Sequence, residues 1–119
     1  MNWKLDKNRP VCPQITEQIC IKIASGEFSA GEKLPSVREV AVSAGVNPNT
    51  VQKSFEQLEQ SGVIYSVRGS GNFVGEDISA ACNMANEIIE EKAINFIREM
   101  ESLGLSNEQI KLKIEELIK

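Results

Sequence analysis

Apolar residues recur at helical spacing near the beginning of the chain. Ile15, Ile19 and Ile23 lie four residues apart, which places them on one face of a helix of about three turns. Pro10 and Pro13 precede this stripe. Proline lacks a backbone N–H and fixes its own backbone angle, so we expect the two prolines to interrupt regular structure before the helix.

The next two apolar segments predict a pair of short helices joined by a tight turn. Ser36 and Glu39 have the spacing of a capping box, so the first helix is expected to begin there. Gly45 ends it, and Asn47 followed by Pro48 begins the second helix, with Asn47 as its N-cap. Two helices joined by a turn of about three residues that contains one glycine are typical of a helix-turn-helix.

A short β-hairpin is predicted directly after the helix pair. Residues 63–67 and 72–74 are rich in β-branched and aromatic side chains, and the glycine-containing segment 68–71 separates them. Two such runs on either side of a glycine-rich turn favour an antiparallel hairpin. A helix-turn-helix followed by a hairpin is a winged helix, so the predicted fold class is mainly α with a small β-hairpin.

The last third of the chain carries a long apolar stripe interleaved with charged residues. It predicts a long helix that Gly104 ends, followed by a shorter helix for which Ser106 and Gln109 form a capping box. A two-helix tail cannot bury its apolar faces alone, so we expect a second copy of the chain to cover them in a homodimer. The predicted dimer contacts are Ile89, Ala93, Phe96, Ile97, Met100, Ile110, Ile114 and Leu117.

Acidic and basic residues are unevenly distributed. The chain has 119 residues, 13 Lys and Arg, 17 Asp and Glu, and a formal net charge of −4. Residues 1–75 have a net charge of +1, whereas residues 76–119 have a net charge of −5. Seven of the eight glycines and all four prolines also lie at or before residue 75. We therefore expect two domains, a winged helix at 1–75 and a helical dimerisation tail at 76–119.

The chain has no histidine and three cysteines. Ser-His-Asp catalysis, Cys-His catalysis and histidine-ligated metal sites therefore cannot be built within one chain, and an enzyme is disfavoured. The cysteines form no C-x-x-C pair and follow no secretory leader, so we expect no disulfide framework, no metal and no cofactor. No apolar run approaches the length of a membrane span, and the prediction is a cytoplasmic protein that does not contact a membrane.

Several motifs at fixed spacing resemble the signature of GntR-family transcriptional regulators. They are residues 34–41 (LPSVREVA), 45–51 (GVNPNTV), 58–59 (LE) and 68–71 (RGSG). The length and the two-helix tail are similar to the YtrA subfamily in particular. The resemblance implies a DNA-binding homodimer on a pseudo-palindromic operator, usually a repressor and often of a transporter operon. Larger members carry an effector-binding domain after the winged helix. This chain is expected to have none, so whether it binds a small-molecule effector stays open.

Two parts of the winged helix are predicted to contact double-stranded DNA. The first residues of a recognition helix face base edges in the major groove, and the amides of Asn49 and Gln52 are suited to adenine. The resemblance implies a DNA-facing arginine at Arg38 and a minor-groove or backbone contact at the hairpin tip. Relatives often carry arginine in place of Pro48 or Gln52. A guanine contact from those positions is therefore unavailable in this chain, and the operator is expected to be A·T-rich. The predicted DNA-binding residues are Arg38, Pro48, Asn49, Thr50, Gln52, Lys53, Arg68, Gly69, Ser70 and Gly71.

Alternatives stay open for individual residues. Arg38 would otherwise be a solvated arginine paired with a glutamate, and segment 68–71 a plain hairpin turn. Lys33 carries a charge suited to phosphate, with weaker support than the arginines. The cations within residues 4–9 form either a flexible arm or a disordered terminus. Trp3 is expected to pack onto the body rather than to stack on a base.

A second class of function also stays open, a winged helix used as a protein-interaction module without sequence-specific DNA binding. The near-neutral body and the acidic tail favour it. The amide-rich start of the second helix disfavours it, because a protein-binding face would carry apolar anchors there. A small enzyme using cysteine or carboxylates is a third alternative, which no cluster of catalytic residue types supports.

Overall fold

Five helices and one two-stranded sheet make up residues 1–118, the part of the chain that the computed structural model describes. The elements are α1 (Val11–Ala24), α2 (Val37–Ala44), α3 (Pro48–Gln60), β1 (Ile64–Val67), β2 (Gly71–Val74), α4 (Ser79–Ser102) and α5 (Asn107–Leu117). The predicted fold class, mainly α with a small hairpin after a helix-turn-helix, is confirmed. The chain forms two compact units, one of Met1–Ala85 and one that begins at Asn86.

α1 begins earlier than its two prolines suggested. Pro10 is the N-cap of the helix, and Pro13 lies in its first turn. The first N–H groups of a helix have no acceptor within the helix, so a proline there removes no hydrogen bond. The expectation that the prolines interrupt regular structure is therefore wrong for Pro13, whereas no helix or strand precedes Pro10. The stripe of Ile15, Ile19 and Ile23 belongs to a helix of 14 residues and is buried.

The helix-turn-helix has the predicted capping. The Glu39 N–H donates to Ser36 Oγ at 3.1 Å, and the Ser36 N–H donates to Glu39 Oε1 at 3.0 Å, which completes the capping box of α2. Gly45 follows α2 with a φ of 71°, a left-handed conformation that costs glycine little. The side chain of Asn47 accepts from the Asn49 N–H at 2.8 Å and caps α3. The two helices are thus joined by the short predicted turn.

One apolar core holds the first unit together. Its larger side chains come from the first three helices, the hairpin and the segments between them, namely Ile15, Ile19, Ile23, Phe28, Leu34, Val40, Val51, Phe55, Leu58, Val63, Ile64 and Val74. Ala81 in the first turn of α4 is buried in the same core. The first unit therefore extends past residue 75, where the charge distribution suggested a boundary.

β1 and β2 form the predicted antiparallel hairpin, in which Tyr65 is opposite Phe73. A third segment that the sequence pattern did not predict pairs with the other edge of β2. Lys33 forms an antiparallel bridge with Phe73, and backbone hydrogen bonds of 2.8 and 2.9 Å join residues 32–34 to β2. The hairpin is thus supported along one edge by the segment that leads into α2.

The second unit contains the remainder of α4 and all of α5. Gly104 separates the two helices with a φ of 93°. Ser106 and Gln109 form the predicted capping box at the start of α5, with hydrogen bonds of 2.8 and 3.2 Å. No helix within residues 1–118 is long and apolar enough to cross a membrane.

The apolar face of the second unit is largely exposed in the single chain. Ile89 is 58% exposed, Phe96 43% and Ile97 39%. Ile110 is the exception among the predicted dimer contacts, because it is buried within its own chain. The remaining predicted contacts are exposed or half-buried, namely Ala93, Met100, Ile114 and Leu117.

Candidate nucleic-acid interface

α3 presents exposed polar side chains at its N-terminal end. Asn49, Gln52 and Lys53 are exposed there together with Pro48, and Thr50 is half-buried. The opposite face of the helix carries apolar side chains at helical spacing and is buried in the core. All five residues predicted to contact DNA from this helix are therefore at its accessible end.

α3 is attached to α1 by a buried polar link that the sequence pattern did not reveal. Ser54 is completely buried, and its hydroxyl donates to the Cys12 carbonyl at 2.9 Å. The Thr16 hydroxyl donates to Gln57 Oε1 at 3.2 Å, which adds a second hydrogen bond between the same helices. Buried hydrogen bonds are directional, so they favour one rotation of α3 on the core. A serine at an inward position of α3 was the only signal available in the sequence.

Arg38 is an exposed residue in the first turn of α2. The ion pairs found within residues 1–118 involve other side chains, so the alternative of an Arg38–glutamate pair is not observed there. The neighbouring Glu39 is engaged in the capping box. Hydrogen bonds from the backbone and side chain of Ser36 lower the pKa of Glu39, and the charge of Lys33 adds to this effect. Glu39 therefore stays ionised beside Ser36, and the guanidinium of Arg38 is available to a ligand.

The hairpin tip is an exposed, glycine-rich turn. Arg68, Gly69 and Ser70 form it, and the Ser70 N–H donates to the Val67 carbonyl at 2.9 Å. Gly69 has a φ of 82° and Gly71 a φ of 117°, conformations that other residues rarely adopt. The tip consequently combines one cation with a backbone that a ligand can approach closely.

Four cations lie between residues 26 and 76, namely Lys33, Arg38, Lys53 and Arg68. All four are exposed, and none of them takes part in the ion pairs found within the described part of the chain. A cation that is not in an ion pair loses no such interaction when it binds a phosphate. These four side chains can therefore meet an anion even though the whole chain is acidic.

The N-terminal segment packs against the helices. The Trp3 indole N–H donates to Ser43 Oγ at 3.1 Å, and the Lys22 ammonium lies 5.0 Å from the centre of the Trp3 ring. Gln14 is buried and forms hydrogen bonds with the backbone of this segment. The expected packing of Trp3 on the body is confirmed. Lys4 and Asp6 of this segment form hydrogen bonds with the side chains of Gln18 and Gln14 in α1.

The described residues 1–118 contain no group of three or more side chains that could hold a metal ion, and the three cysteines are free. Burial, with a smaller contribution from the charge of Glu17, raises the pKa of Cys20 to about 11. The Cys20 thiol is therefore protonated at neutral pH, and a protonated thiol is a poor nucleophile.

Comparison with known proteins connects this surface to a family. Residues 13–74 match the family described as bacterial regulatory proteins, gntR family. The HTH-type transcriptional regulator YhcF of Bacillus subtilis is 33% identical over 110 residues, which cover 92% of this chain and 91% of that protein. The HTH-type transcriptional repressor YtrA of Bacillus subtilis is 32% identical over 108 residues, which cover 91% of this chain and 78% of that protein.

Solved structures give the same result. A GntR family transcriptional regulator from Listeria monocytogenes matches with a TM-score of 0.80 and 38% identity, covering 94% of this chain and 98% of that chain. AraR(DBD) in complex with operator ORE1 matches with a TM-score of 0.54 and 30% identity, covering 63% of this chain and 94% of that chain. The predicted resemblance, and the prediction of a regulator rather than an enzyme, are confirmed. The chain belongs to the gntR family of bacterial regulatory proteins.

Proposed function

We propose that this chain is a sequence-specific DNA-binding repressor that acts in the cytoplasm as a homodimer on a pseudo-palindromic operator. The observation that carries the proposal is the accessible, polar start of α3 on a unit whose four nearby cations form no ion pair within residues 1–118. The similarity to YtrA, which is named a repressor, and to AraR(DBD), which was solved with an operator, supports it.

The proposed contacts divide between base reading and backbone binding. Asn49 and Gln52 have amides that can bond adenine through two hydrogen bonds, and Thr50 offers a hydroxyl and a methyl group. Arg38 has the planar donor fork that suits a guanine or a phosphate. Arg68 would enter the minor groove with the exposed hairpin tip, since the glycines beside it let the backbone approach the duplex.

The proposed dimer is formed by the second unit. Ile89, Phe96 and Ile97 lie on one face of α4 by helical spacing, and each is more than a third exposed in the single chain. A second copy of the chain would cover this face and place two recognition helices on the two halves of a symmetric operator. Ile110 would support α5 from within its own chain, because it is already buried there.

Selection of duplexes from a random-sequence library tests DNA recognition. The wild-type chain should enrich a symmetric, A·T-rich sequence, and Arg38→Ala and Arg68→Ala should each bind that duplex at least about tenfold more weakly. Arg98→Ala is the matched control, because Arg98 is an exposed arginine opposite the apolar face of α4. Unchanged affinity of both test variants would show that this surface does not contact DNA. Failure to enrich any duplex would favour the protein-interaction module.

Light scattering tests the dimer. Ile97→Glu should convert the dimer to a monomer, because the new carboxylate would be buried between the two copies. Asn95→Glu is the control, since Asn95 is exposed on another face of the same helix. A dimer mass for Ile97→Glu, or a monomer mass for the wild-type chain, would refute the proposed interface.

A further inference from the structure

Lys33 belongs to the hairpin although it lies far from it in the sequence. The antiparallel bridge between Lys33 and Phe73 places residues 32–34 along the free edge of β2. Cross-strand partners lie on the same face of a sheet. Lys33 is therefore on the face that carries Phe73 and Tyr65, whose rings stack with centroids 5.6 Å apart.

Gly71 directs the Lys33 side chain toward the hairpin tip. A Cβ atom added at Gly71 would lie 3.2 Å from Cε and 4.0 Å from Nζ of Lys33. The lysine side chain thus crosses the position diagonal to its own bridge partner, and a Cβ atom at Gly71 would contact it tightly. The ammonium is carried to the first residue of β2, next to the turn that contains Arg68.

The charge of Lys33 is not neutralised by an ion pair within residues 1–118. Two carboxylates near it in the sequence accept backbone hydrogen bonds. Glu32 accepts a hydrogen bond from the Ser29 N–H at 3.0 Å, and Glu39 accepts one from the Ser36 N–H at 3.0 Å. Lys33 therefore forms no ion pair within residues 1–118, although its charge contributes to the lowered pKa of Glu39.

We infer that Lys33 is a phosphate contact of the hairpin, which would give the DNA-binding wing two cations, Arg68 and Lys33. This inference rests on the proposed function. The minor groove of B-DNA is only about 6 Å wide, so a tip that enters it has a phosphate chain on each side. Lys33 projects from one face of the sheet near that tip, where it would meet one of these chains.

Salt titration of DNA binding isolates such a contact. Each phosphate that a cation neutralises contributes about −0.9 to the slope of log affinity against log salt. The proposed dimer carries two copies of Lys33, so Lys33→Gln should make this slope less steep by about 1.8, with the duplex selected by the wild-type chain and equally with a scrambled duplex. The affinity ratio between wild type and Lys33→Gln should consequently shrink about twelvefold between about 50 and 200 mM salt. Lys33→Arg should keep the wild-type slope.

Lys111→Gln is the matched control, because it makes the same change of charge at an exposed position of α5. The slope does not depend on the fraction of folded protein, so a small loss of stability in Lys33→Gln would not imitate the effect. An equal slope for wild type, Lys33→Gln and Lys111→Gln would overturn the inference while the proposed function stands. A wild-type chain that enriches no duplex at all would instead overturn the proposed function.

Discussion

Replacing Gln14 by glutamate tests the contacts that hold the N-terminal segment on α1. Gln14 is 2% exposed. Its Nε2 lies 2.8 Å from the Asp6 carbonyl oxygen, 3.1 Å from that of Arg9 and 3.0 Å from that of Pro10. Its Oε1 accepts from the Asp6 N–H at 2.6 Å. Glutamate has almost the same shape, but it places an oxygen without hydrogens against three carbonyl oxygens.

The expected loss follows from the hydrogens that disappear. An amide NH₂ group has two hydrogens, so two hydrogen bonds of roughly 1 kcal/mol each are lost. The new carboxylate is also buried beside acceptors, which adds to the cost. We expect Gln14→Glu to lose at least about 2 kcal/mol at neutral pH. For a unit of this size that lowers the melting midpoint by about 8–16 °C.

Acid should reverse part of this loss. The carbonyl oxygens disfavour the ionised carboxylate, so the pKa of the new side chain is raised in the folded protein above its value in the unfolded chain. Below the unfolded value both states hold the proton, and the protonated carboxyl can donate to a carbonyl. Stability of the variant relative to wild type therefore decreases as pH rises from the unfolded pKa through the folded one.

Thermal melting and tryptophan fluorescence provide the assay. Trp3 is the only tryptophan, so its emission reports whether the segment stays packed. Gln14→Glu should melt lower and emit at longer wavelength at neutral pH, with both changes reduced in acid. Gln60→Glu makes the same substitution at an exposed position near the end of α3 and should change neither property appreciably. Equal melting midpoints and emission for the two variants would refute the reasoning.

Two further predictions concern the capping box and the cysteines. The pKa of Glu39 is lowered by its bonds with Ser36, so the box stabilises α2 above the ordinary glutamate pKa and is lost as pH falls. Ser36→Ala should lower the melting midpoint at neutral pH and by less in acid, and equal lowering at both pH values would contradict this. A thiol reagent should modify Cys12 and Cys82 before Cys20, because Cys20 is buried with a pKa of about 11. Equal rates for the three thiols would show that Cys20 is accessible.

The elements that could be predicted from sequence have local signals. Ser36 with Glu39 and Asn47 with Pro48 predict the starts of two helices, and the structure has both. Each cap bonds a backbone N–H no more than three residues away, so the signal is local. The hairpin was predictable for the same reason, since its strands flank a short glycine-containing turn. The exposed start of α3 followed from the spacing of the apolar side chains that face the core.

The features that sequence did not predict depend on contacts distant along the chain. Lys33 pairs with a strand some forty residues later, and nothing around Lys33 shows that partner. Ser54 and Gln14 are polar residues whose burial is stabilised by backbone groups of other segments. The first unit ends at Ala85 rather than at residue 75, because Ala81 is buried in its core. The distribution of charged residues along the sequence does not reveal that contact. These contacts join residues that are distant along the chain, so the pattern of neighbouring residues does not predict them.

Hydroxyl-radical footprinting of the wild-type chain on the duplex it selects tests the central claim most directly. A homodimer that reads DNA with two copies of α3 and two hairpins should protect two equivalent regions related by the symmetry of the duplex. The protection should become asymmetric when one half-site is scrambled. Absence of protection on every duplex tested, or a single region without a symmetric counterpart, would contradict the account.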